Sequence, residues 1–266
     1  MRIAFIGGGV MGETLIGALL RAGLSSPGEI AASDISPQRR DALRQQYAVE
    51  TTEDARSAVE GAALVFLAVK PQDFDAVAGS LRGSLKADQT VVSIMAGVRT
   101  EALRQGLGHD AVVRVMPNTP AQVGEGMSVW TATEDVAPET RKRVAEILGA
   151  IGKEIYVSDE RHIDIATAVS ASGPGFLFLV IEALIDGAVH LGIRRDDATA
   201  MVIQTVLGTA RFAEETGRHP AELRNLVTSP GGTTAEGLLV LESAGVRAAL
   251  IDAVVAAYER ARALGG

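Results

Sequence analysis

The stretch Gly7-Gly8-Gly9-Val10-Met11-Gly12 decides the fold, because of what stands on either side of it. Residues 2–6 are mostly apolar and predict a short buried strand, whereas residues 15–21 follow the apolar spacing of an amphipathic helix. A glycine-rich turn between a strand and a helix is typical of the first unit of a doubly wound α/β sheet. We therefore expect the chain to begin with such a sheet rather than with a targeting signal.

The glycines of this turn have separate physical tasks. Gly7 permits the tight turn, Gly9 lets the backbone approach a pyrophosphate, and Gly12 lets the helix pack closely on the strand. The N–H groups of Val10 and Met11, at the positive end of the helix dipole, would face the phosphates. The same glycines would also serve a turn that only packs a helix on a sheet, but their placement favours a dinucleotide site.

The alternation of short apolar runs with helical stretches continues to about residue 156, which is the rhythm of a parallel sheet. Several of the runs are apolar throughout, as strands covered on both faces should be. This pattern predicts an N-terminal Rossmann-like domain, residues 1–158. Further strands are expected at residues 29–33, 64–69, 90–94, 111–116, 127–131 and 154–157.

After residue 158 the strand pattern gives way to long Ala- and Leu-rich helical patterns, which predict an all-helical second domain, residues 159–266. The stretch 176–191 is apolar on nearly all sides, so it must be buried on nearly all sides. A domain of about a hundred residues has little interior for it, so we expect a second subunit to cover it in a homodimer or a larger assembly. The other helices are expected at residues 196–215, 235–243 and 246–264.

Composition argues against several classes of function. The 266 residues carry a formal charge of −8 and contain no basic run with interleaved aromatic residues, which argues against nucleic-acid binding. The chain lacks cysteine, which excludes disulfides and a thiol nucleophile. The four histidines lie far apart in sequence, so a metal site is not expected. The apolar stretch 176–185 is interrupted by Glu182 and is shorter than the roughly 20 residues of a membrane span. These observations predict a cytoplasmic protein.

The second predicted strand ends at Ser33-Asp34, where an acidic side chain can bind the 2′-hydroxyl of NAD and repel a 2′-phosphate. Ser33, Ser36, Arg39 and Arg40 would suit that phosphate if Asp34 turned away, so NADH and NADPH both stay open. Ser36 also fits the N-cap of the following helix, with a proline next in sequence.

Three later strands are followed by distinctive loops, and ligands of doubly wound sheets lie beyond the carboxyl ends of strands. Each loop alone resembles an ordinary strand-to-helix turn, but the three together favour a cofactor site. The loops are Ala68-Val69-Lys70-Pro71-Gln72, Ile94-Met95-Ala96-Gly97-Val98 and Met116-Pro117-Asn118-Thr119-Pro120. In them Gly97 permits close approach, while Lys70, Asn118 and Thr119 offer polar groups to the nicotinamide ribose and carboxamide.

Two clusters interrupt the helical pattern: Ser170-Ala171-Ser172-Gly173-Pro174, and Thr228-Ser229-Pro230-Gly231-Gly232-Thr233-Thr234. Both are compatible with plain N-capping followed by the start of a helix. In the second cluster, two glycines and four hydroxyl residues at a helix start would make a site for a carboxylate.

Over essentially its whole length the chain resembles the pyrroline-5-carboxylate reductases. The stretch 227–234 followed by Leu241-Glu242 resembles that family's signature and is highly specific. The other matching segments are 6–11, Val69-Lys70-Pro71-Gln72, Ala96-Gly97-Val98, Arg114-Val115-Met116-Pro117-Asn118-Thr119-Pro120 and the serine cluster 170–174.

The resemblance implies an NAD(P)H-dependent reductase of the cyclic imine 1-pyrroline-5-carboxylate, with a Rossmann domain and a helical dimerisation domain. In that family dimers often assemble into decamers, and two subunits share each active site. Thr234 stands where the family has a threonine proposed to hydrogen-bond the imine nitrogen. The residues implied to hold the substrate are Ser172, Ser229, Gly231, Gly232, Thr233 and Thr234.

The sequence departs from the family pattern at two places. Gly175-Phe176 stands where Ala-Tyr is common, which removes a hydroxyl, and Asp34 stands where many members carry residues suited to NADPH. A rival reading is a β-hydroxyacid dehydrogenase, but those enzymes resemble one another in using a lysine of the helical domain, and residues 159–266 contain none. A dinucleotide-binding regulator without chemistry would have no use for the loop 228–234.

Overall fold

The computed structural model describes residues 1–265 of the chain. Packing divides these residues into two compact units. Met1–Ser172 and the residues from Ala257 onward form the first unit, and Gly173–Ala256 form the second. The boundary between residues 158 and 159 was predicted for two independently folding domains, and it stays a prediction.

The first unit is built on one eight-stranded sheet with the order β3-β2-β1-β4-β5-β6-β7-β8. The strands are β1 Ile3–Ile6, β2 Ile30–Ser33, β3 Glu50–Thr52, β4 Leu64–Leu67, β5 Thr90–Ser93, β6 Val112–Met116, β7 Gly126–Ala132 and β8 Gly152–Tyr156. The first six have the order of a dinucleotide-binding doubly wound sheet. The Rossmann-like fold predicted from the sequence is confirmed.

Two features of the sheet differ from the prediction. β7 pairs antiparallel with β6, with Val115 opposite Trp130, so the sheet is mixed rather than wholly parallel. The edge strand β3 was not predicted, because its three residues are polar and carry no apolar signal.

Helices cover both faces of this sheet. They are α1 Val10–Arg21, α2 Pro37–Tyr47, α3 Ala55–Val59, α4 Phe74–Leu81, α5 Thr100–Leu107, α6 Pro138–Gly149 and α7 Arg161–Ala166. Alternate residues of β1 point to opposite faces, so Phe5 packs with α1 and α6, whereas Ile6 packs with α3, α4 and α5. Two cores, one on each face, therefore hold the carboxyl edge of the sheet in place.

The second unit is wholly helical in the residues described. It contains α8 Gly173–His190, α9 Arg195–Thr216, α10 Pro220–Leu226, α11 Thr233–Ser243 and the first part of α12 Val246–Leu264. The four long helices predicted from the sequence are confirmed, with bounds that differ by up to three residues. The short helix α10 was not predicted.

The cluster Ser170–Pro174 was predicted to interrupt the helices, and this is wrong. A π-helical turn, Thr167–Ala171, leads from α7 towards α8, and the helical run extends over Arg161–His190. The hydroxyls of Ser170 and Ser172 do not cap α8; they donate to the carbonyls of Ala166 and Thr167 in the preceding turn. Serine hydroxyls that bond backward in this way let a helix continue.

The run Arg161–His190 is also long and apolar enough to cross a membrane, judged by length and composition alone. The apolar stretch 176–185 is thus part of a longer apolar helical run than the sequence indicated. A helix of this kind is weak evidence for a membrane span, because buried helices of other proteins pass the same test.

The apolar face of α8 is uncovered in the single chain. Leu177, Phe178 and Leu179 are 57%, 65% and 67% exposed, and Ile185 is the one buried residue of the helix. So large an exposed apolar surface is typical of an interaction site.

Candidate active site

The turn between β1 and α1 is shaped by its glycines. Gly7 has φ +102°, a left-handed conformation, and a methyl group there would meet the backbone of Ala68 at 2.7 Å. A methyl group on Gly12 would meet the carbonyl oxygen of Gly7 at 2.5 Å. These two glycines are required by the fold itself, which brings α1 and the end of β4 close together.

Gly9 is different, because a methyl group there would have no protein atom within 4 Å. In residues 1–265 the N–H groups of Gly9, Val10, Met11 and Gly12 have no acceptor, while the N–H of Glu13 donates to Gly9. Open space beside Gly9 and a row of free donors at a helix start fit a pyrophosphate. The structure thus suits the dinucleotide predicted for this turn.

The Asp34 carboxylate is held by two backbone groups. One oxygen accepts from the N–H of Gly8 at 2.7 Å, and the other accepts from the N–H of Ser36 at 2.8 Å. Asp34 therefore faces the glycine turn and does not turn away from it. The predicted N-cap is confirmed: the Ser36 hydroxyl accepts from the N–H of Arg39.

The two arginines considered for a 2′-phosphate already have partners. Arg39 donates to the carbonyl of Gly8 and to the Glu13 carboxylate. Arg40 donates to the carbonyls of Asp34 and Ile35 and lies near a glutamate. Ser33 is 3% exposed, with little access for a ligand.

The loops after β4 and β5 leave the same edge of the sheet. Lys70 is exposed and ends the extended segment before the short 3₁₀ turn Pro71–Asp73. Gly97 is buried and has φ +77°, so another residue there would be strained. Parallel pairing of β1, β4 and β5 places both loops beside the glycine turn.

Asn118 links the loop after β6 to its surroundings. Its amide Nδ2 donates to the carbonyl of Ser170 at 3.0 Å, and its Oδ1 accepts from the N–H of Met127 at 2.8 Å. One N–H and one lone pair remain for a ligand. Its predicted cofactor contact stays a prediction.

A buried ionic network at this edge was not predicted from the sequence. Arg114, 1% exposed, donates to Asp164 at 2.8 Å and to Glu160 at 3.0 Å. Glu160 also accepts from the N–H and hydroxyl of Thr100, at the start of α5, and Arg99 lies 3.7 Å from Asp164. The network joins β6, α5 and α7. An arginine in the otherwise apolar strand Val112–Met116 was the available signal, because a buried charge requires partners.

In the second unit, the loop between α10 and α11 forms the other candidate region. Gly231 has φ +67°, and the N–H of Gly232 donates to the carbonyl of Ser229 at 3.0 Å. Gly232 is the N-cap of α11, and a methyl group on it would strike the Ser229 hydroxyl at 2.4 Å. The glycines thus allow a compact turn that ends at an open helix start.

This helix start offers free donors. In the part of the chain that the structure describes, the N–H groups of Thr233 and Thr234 have no acceptor, and neither do their hydroxyls or that of Ser229. The hydroxyl of Thr228, by contrast, donates to the carbonyl of Arg224 at 2.7 Å. Free N–H groups and hydroxyls at the positive end of a helix suit an anion such as a carboxylate.

Ion pairs brace the helices on either side of this loop. The Glu242 carboxylate, near the end of α11, forms an ion pair with Arg224 of α10 and accepts a hydrogen bond from the guanidinium of Arg247 of α12. The bond from Arg247 lowers the pKa of Glu242, which keeps this carboxylate charged. Glu242 is thereby a support for the loop.

The predicted residues thus fall into two groups. The glycine turn, Asp34, the loops after β4, β5 and β6, and Ser172 belong to the first unit, and Ser229–Thr234 belong to the second. The first group fits a dinucleotide, and the second fits a small anion. No cluster of three or more His, Asp or Glu side chains among residues 1–265 is arranged to hold a metal ion.

Comparison with known families agrees with this division. Residues 160–264 match the family described as pyrroline-5-carboxylate reductase dimerisation. Residues 2–97 match the family described as coenzyme F420-dependent NADP oxidoreductase.

Individual relatives match over the whole length. A pyrroline-5-carboxylate reductase of Synechocystis is 42% identical over 265 residues, covering 100% of this chain and 98% of the relative. The solved structure of a pyrroline-5-carboxylate reductase from Coxiella burnetii has a TM-score of 0.91 at 38% identity, covering 100% of this chain and 98% of that one. A Plasmodium falciparum pyrroline carboxylate reductase, solved with NADP bound, has a TM-score of 0.91 at 28% identity, with the same coverage.

Proposed function

The chain belongs to the pyrroline-5-carboxylate reductase family and is an NAD(P)-dependent oxidoreductase that reduces 1-pyrroline-5-carboxylate to proline, and we propose how its own residues support that reaction. The glycine turn Gly7–Gly12 holds the cofactor, and the loop Ser229–Thr234 holds the substrate. The observation that carries this proposal is the open start of α11, with its free N–H groups and hydroxyls.

On the cofactor side, the N–H groups of Gly9, Val10, Met11 and Gly12 bind the pyrophosphate. The loops of residues 68–71 and 96–97, together with Asn118, hold the nicotinamide half. These residues follow β4, β5 and β6, which lie on one side of β1, whereas β2 and Asp34 lie on the other side. When bound, the reduced nicotinamide supplies the hydride for the C=N carbon of the substrate.

On the substrate side, the carboxylate accepts hydrogen bonds from the N–H groups of Thr233 and Thr234 and from the Ser229 hydroxyl. Gly231 and Gly232 leave room for that approach, because neither has a side chain to cover the donors. Ser172 is proposed as a further contact with the substrate. Its hydroxyl already donates to the carbonyl of Thr167, so it can act only as an acceptor or after rotating.

Thr234 is proposed to orient the imine nitrogen. An aliphatic hydroxyl is a very poor acid, and general-acid catalysis works best when the donor's pKa lies near the working pH. The second unit has no lysine, and no histidine lies in residues 228–234. We propose that the substrate arrives already protonated as the iminium, which makes a strong protein acid unnecessary, and that the protein's main contribution is to position the two reactants.

For cofactor choice, we propose a preference for NADH. The Asp34 carboxylate is fixed against the glycine turn, where it suits a 2′-hydroxyl and opposes a 2′-phosphate. Arg39 and Arg40 are already paired. The NADP bound to the Plasmodium falciparum relative favours the opposite choice.

The match of residues 160–264 to a dimerisation family supports a homo-oligomer. We propose a homodimer or an assembly of dimers, in which the apolar face of α8 is covered by the partner subunit. We also propose a cytoplasmic location.

The test is a steady-state assay with purified protein. Oxidation of NADH or NADPH, followed by the loss of the absorbance of the reduced nicotinamide, should require pyrroline-5-carboxylate and should form proline in equal amount. Absence of turnover with both cofactors, in protein that binds one of them, would refute the proposal.

A further inference from the structure

The end of the chain packs against the loop after β5. Residues from Ala257 onward belong to the first unit, although the helix α12 begins in the second, and Ala261 is 5% exposed. This places the last helical turn among the elements that surround the sheet.

The contact brings the backbones of Gly97 and Gly265 close to each other. A methyl group on Gly97 would meet the Cβ of Leu264 at 3.0 Å and its carbonyl carbon and oxygen at 3.2 Å. A methyl group on Gly265 would meet the carbonyl oxygen of Gly97 at 2.9 Å and the Nε of Arg99 at 3.1 Å. Leu264 and Gly265 therefore form one wall of the loop of residues 94–98, here called the Gly97 loop.

The Gly97 loop is also held at both of its ends. Before Gly97, the N–H of Ile94 donates to the carbonyl of Leu67 at 3.1 Å and Met95 is buried in the core, and beyond Val98 the ionic network begins at Arg99, so Leu264 and Gly265 cover the part of the loop between these two supports. Gly97 has a positive φ, which is a sparsely populated backbone conformation. The contact with Leu264 and Gly265 helps to hold the loop in that conformation.

We propose that Leu264 and Gly265 are positioning residues for the nicotinamide half of the cofactor. The inference rests on the proposed function, in which the Gly97 loop contacts that half. The pyrophosphate and adenosine half would lie at the glycine turn and Asp34, where the atoms nearest to a methyl group on Gly7, Gly8 or Gly12 belong to residues other than Leu264 and Gly265.

The test compares two ligands. NADH spans both halves of the site, whereas ADP-ribose lacks the nicotinamide. Gly265→Val should raise the Kd of NADH at least five-fold and that of ADP-ribose less than two-fold, measured by titration calorimetry. A chain shortened to end at Ala263 should show the same pattern, without adding bulk. Arg260→Ala, on an exposed position of the same helix, should change neither Kd.

Hydrogen exchange of the ligand-free protein provides a second readout. The amides of residues 94–98 should exchange faster in both variants, while those of residues 7–12 should not. Equal weakening of both ligands, or weakening of neither, would overturn the inference. If the unaltered protein does not reduce pyrroline-5-carboxylate, the proposed function fails instead, whichever ligand pattern the variants show.

Discussion

The Asp34 carboxylate accepts a hydrogen bond of 2.7 Å from the backbone N–H of Gly8. The residue that ends β2 is thereby tied to the turn that ends β1. This bond fixes a negative charge at the position where the protein would bind the ribose 2′-hydroxyl of NADH or the 2′-phosphate of NADPH.

Asp34→Ser should shift cofactor preference towards NADPH. Removing a charge that opposes the 2′-phosphate should raise the ratio of kcat/KM for NADPH to that for NADH by roughly ten-fold or more. Asp41→Asn, an exposed acidic residue on α2, is the control and should leave the ratio unchanged. An unchanged ratio in Asp34→Ser would mean that this carboxylate does not face the ribose.

Gly9→Ala and Gly12→Ala should separate binding from stability. The Gly9 variant meets no protein atom, so its Tm should stay within about 2 °C, a shift well under 1 kcal/mol. Its Kd for NADH should rise about ten-fold or more, because the methyl group occupies the approach to the pyrophosphate.

The Gly12 variant should instead lose stability, because its methyl group overlaps the Gly7 carbonyl, and overpacking costs about 1 to 3 kcal/mol. Thermal unfolding and calorimetry measure both effects. Normal NADH binding by a stable Gly9→Ala protein would contradict the assignment of the turn.

The sequence was sufficient for the strand, turn and helix around Gly7–Gly12, because each glycine there answers a local steric requirement. The direction of β7 could not be predicted, because an apolar run has the same pattern in a parallel and in an antiparallel strand. The serine cluster before Gly173 misled the prediction, because hydroxyls that cap a helix and hydroxyls that bond backward within one look alike in sequence.

Arg114 in an apolar strand signals a buried charge, but its partners could not be identified from the sequence. Its partners lie 46 and 50 residues away, and only the tertiary fold brings them together. The free donors of the Ser229–Thr234 loop, by contrast, were anticipated from glycine and hydroxyl content at a helix start.

Arg114→Met should destabilise the protein strongly. Removing one member of a buried ionic network leaves carboxylates without their partner and costs about 3 to 5 kcal/mol, which is roughly 6 to 20 °C in Tm. Arg161→Met removes an exposed pair with Asp159 and should lower the Tm by less than about 2 °C. Similar shifts for both variants would show that burial does not distinguish the two interactions.

Phe178→Asp should dissociate the assembly. A charge at the centre of the exposed apolar face of α8 cannot be buried without a partner. Light scattering at micromolar concentration should show monomers. The activity assay should show little turnover by these monomers. Val123→Asp, at a similarly exposed apolar position of the first unit, should leave the assembly intact. A stable, active monomer of the unaltered protein would refute the predicted interface.

The most direct test of positioning as the basis of catalysis is the pH dependence of Thr234→Ala. Loss of an orienting hydrogen bond costs roughly 1 to 3 kcal/mol, so kcat/KM should fall by no more than about 100-fold. The fall should be similar at pH 6 and pH 8 once the substrate's own titration is allowed for. Thr216→Ala, whose hydroxyl donates to the carbonyl of Phe212, should leave kcat/KM nearly unchanged. If Thr234→Ala abolishes turnover while the substrate still binds, Thr234 belongs to an essential proton path and the substrate does not arrive protonated.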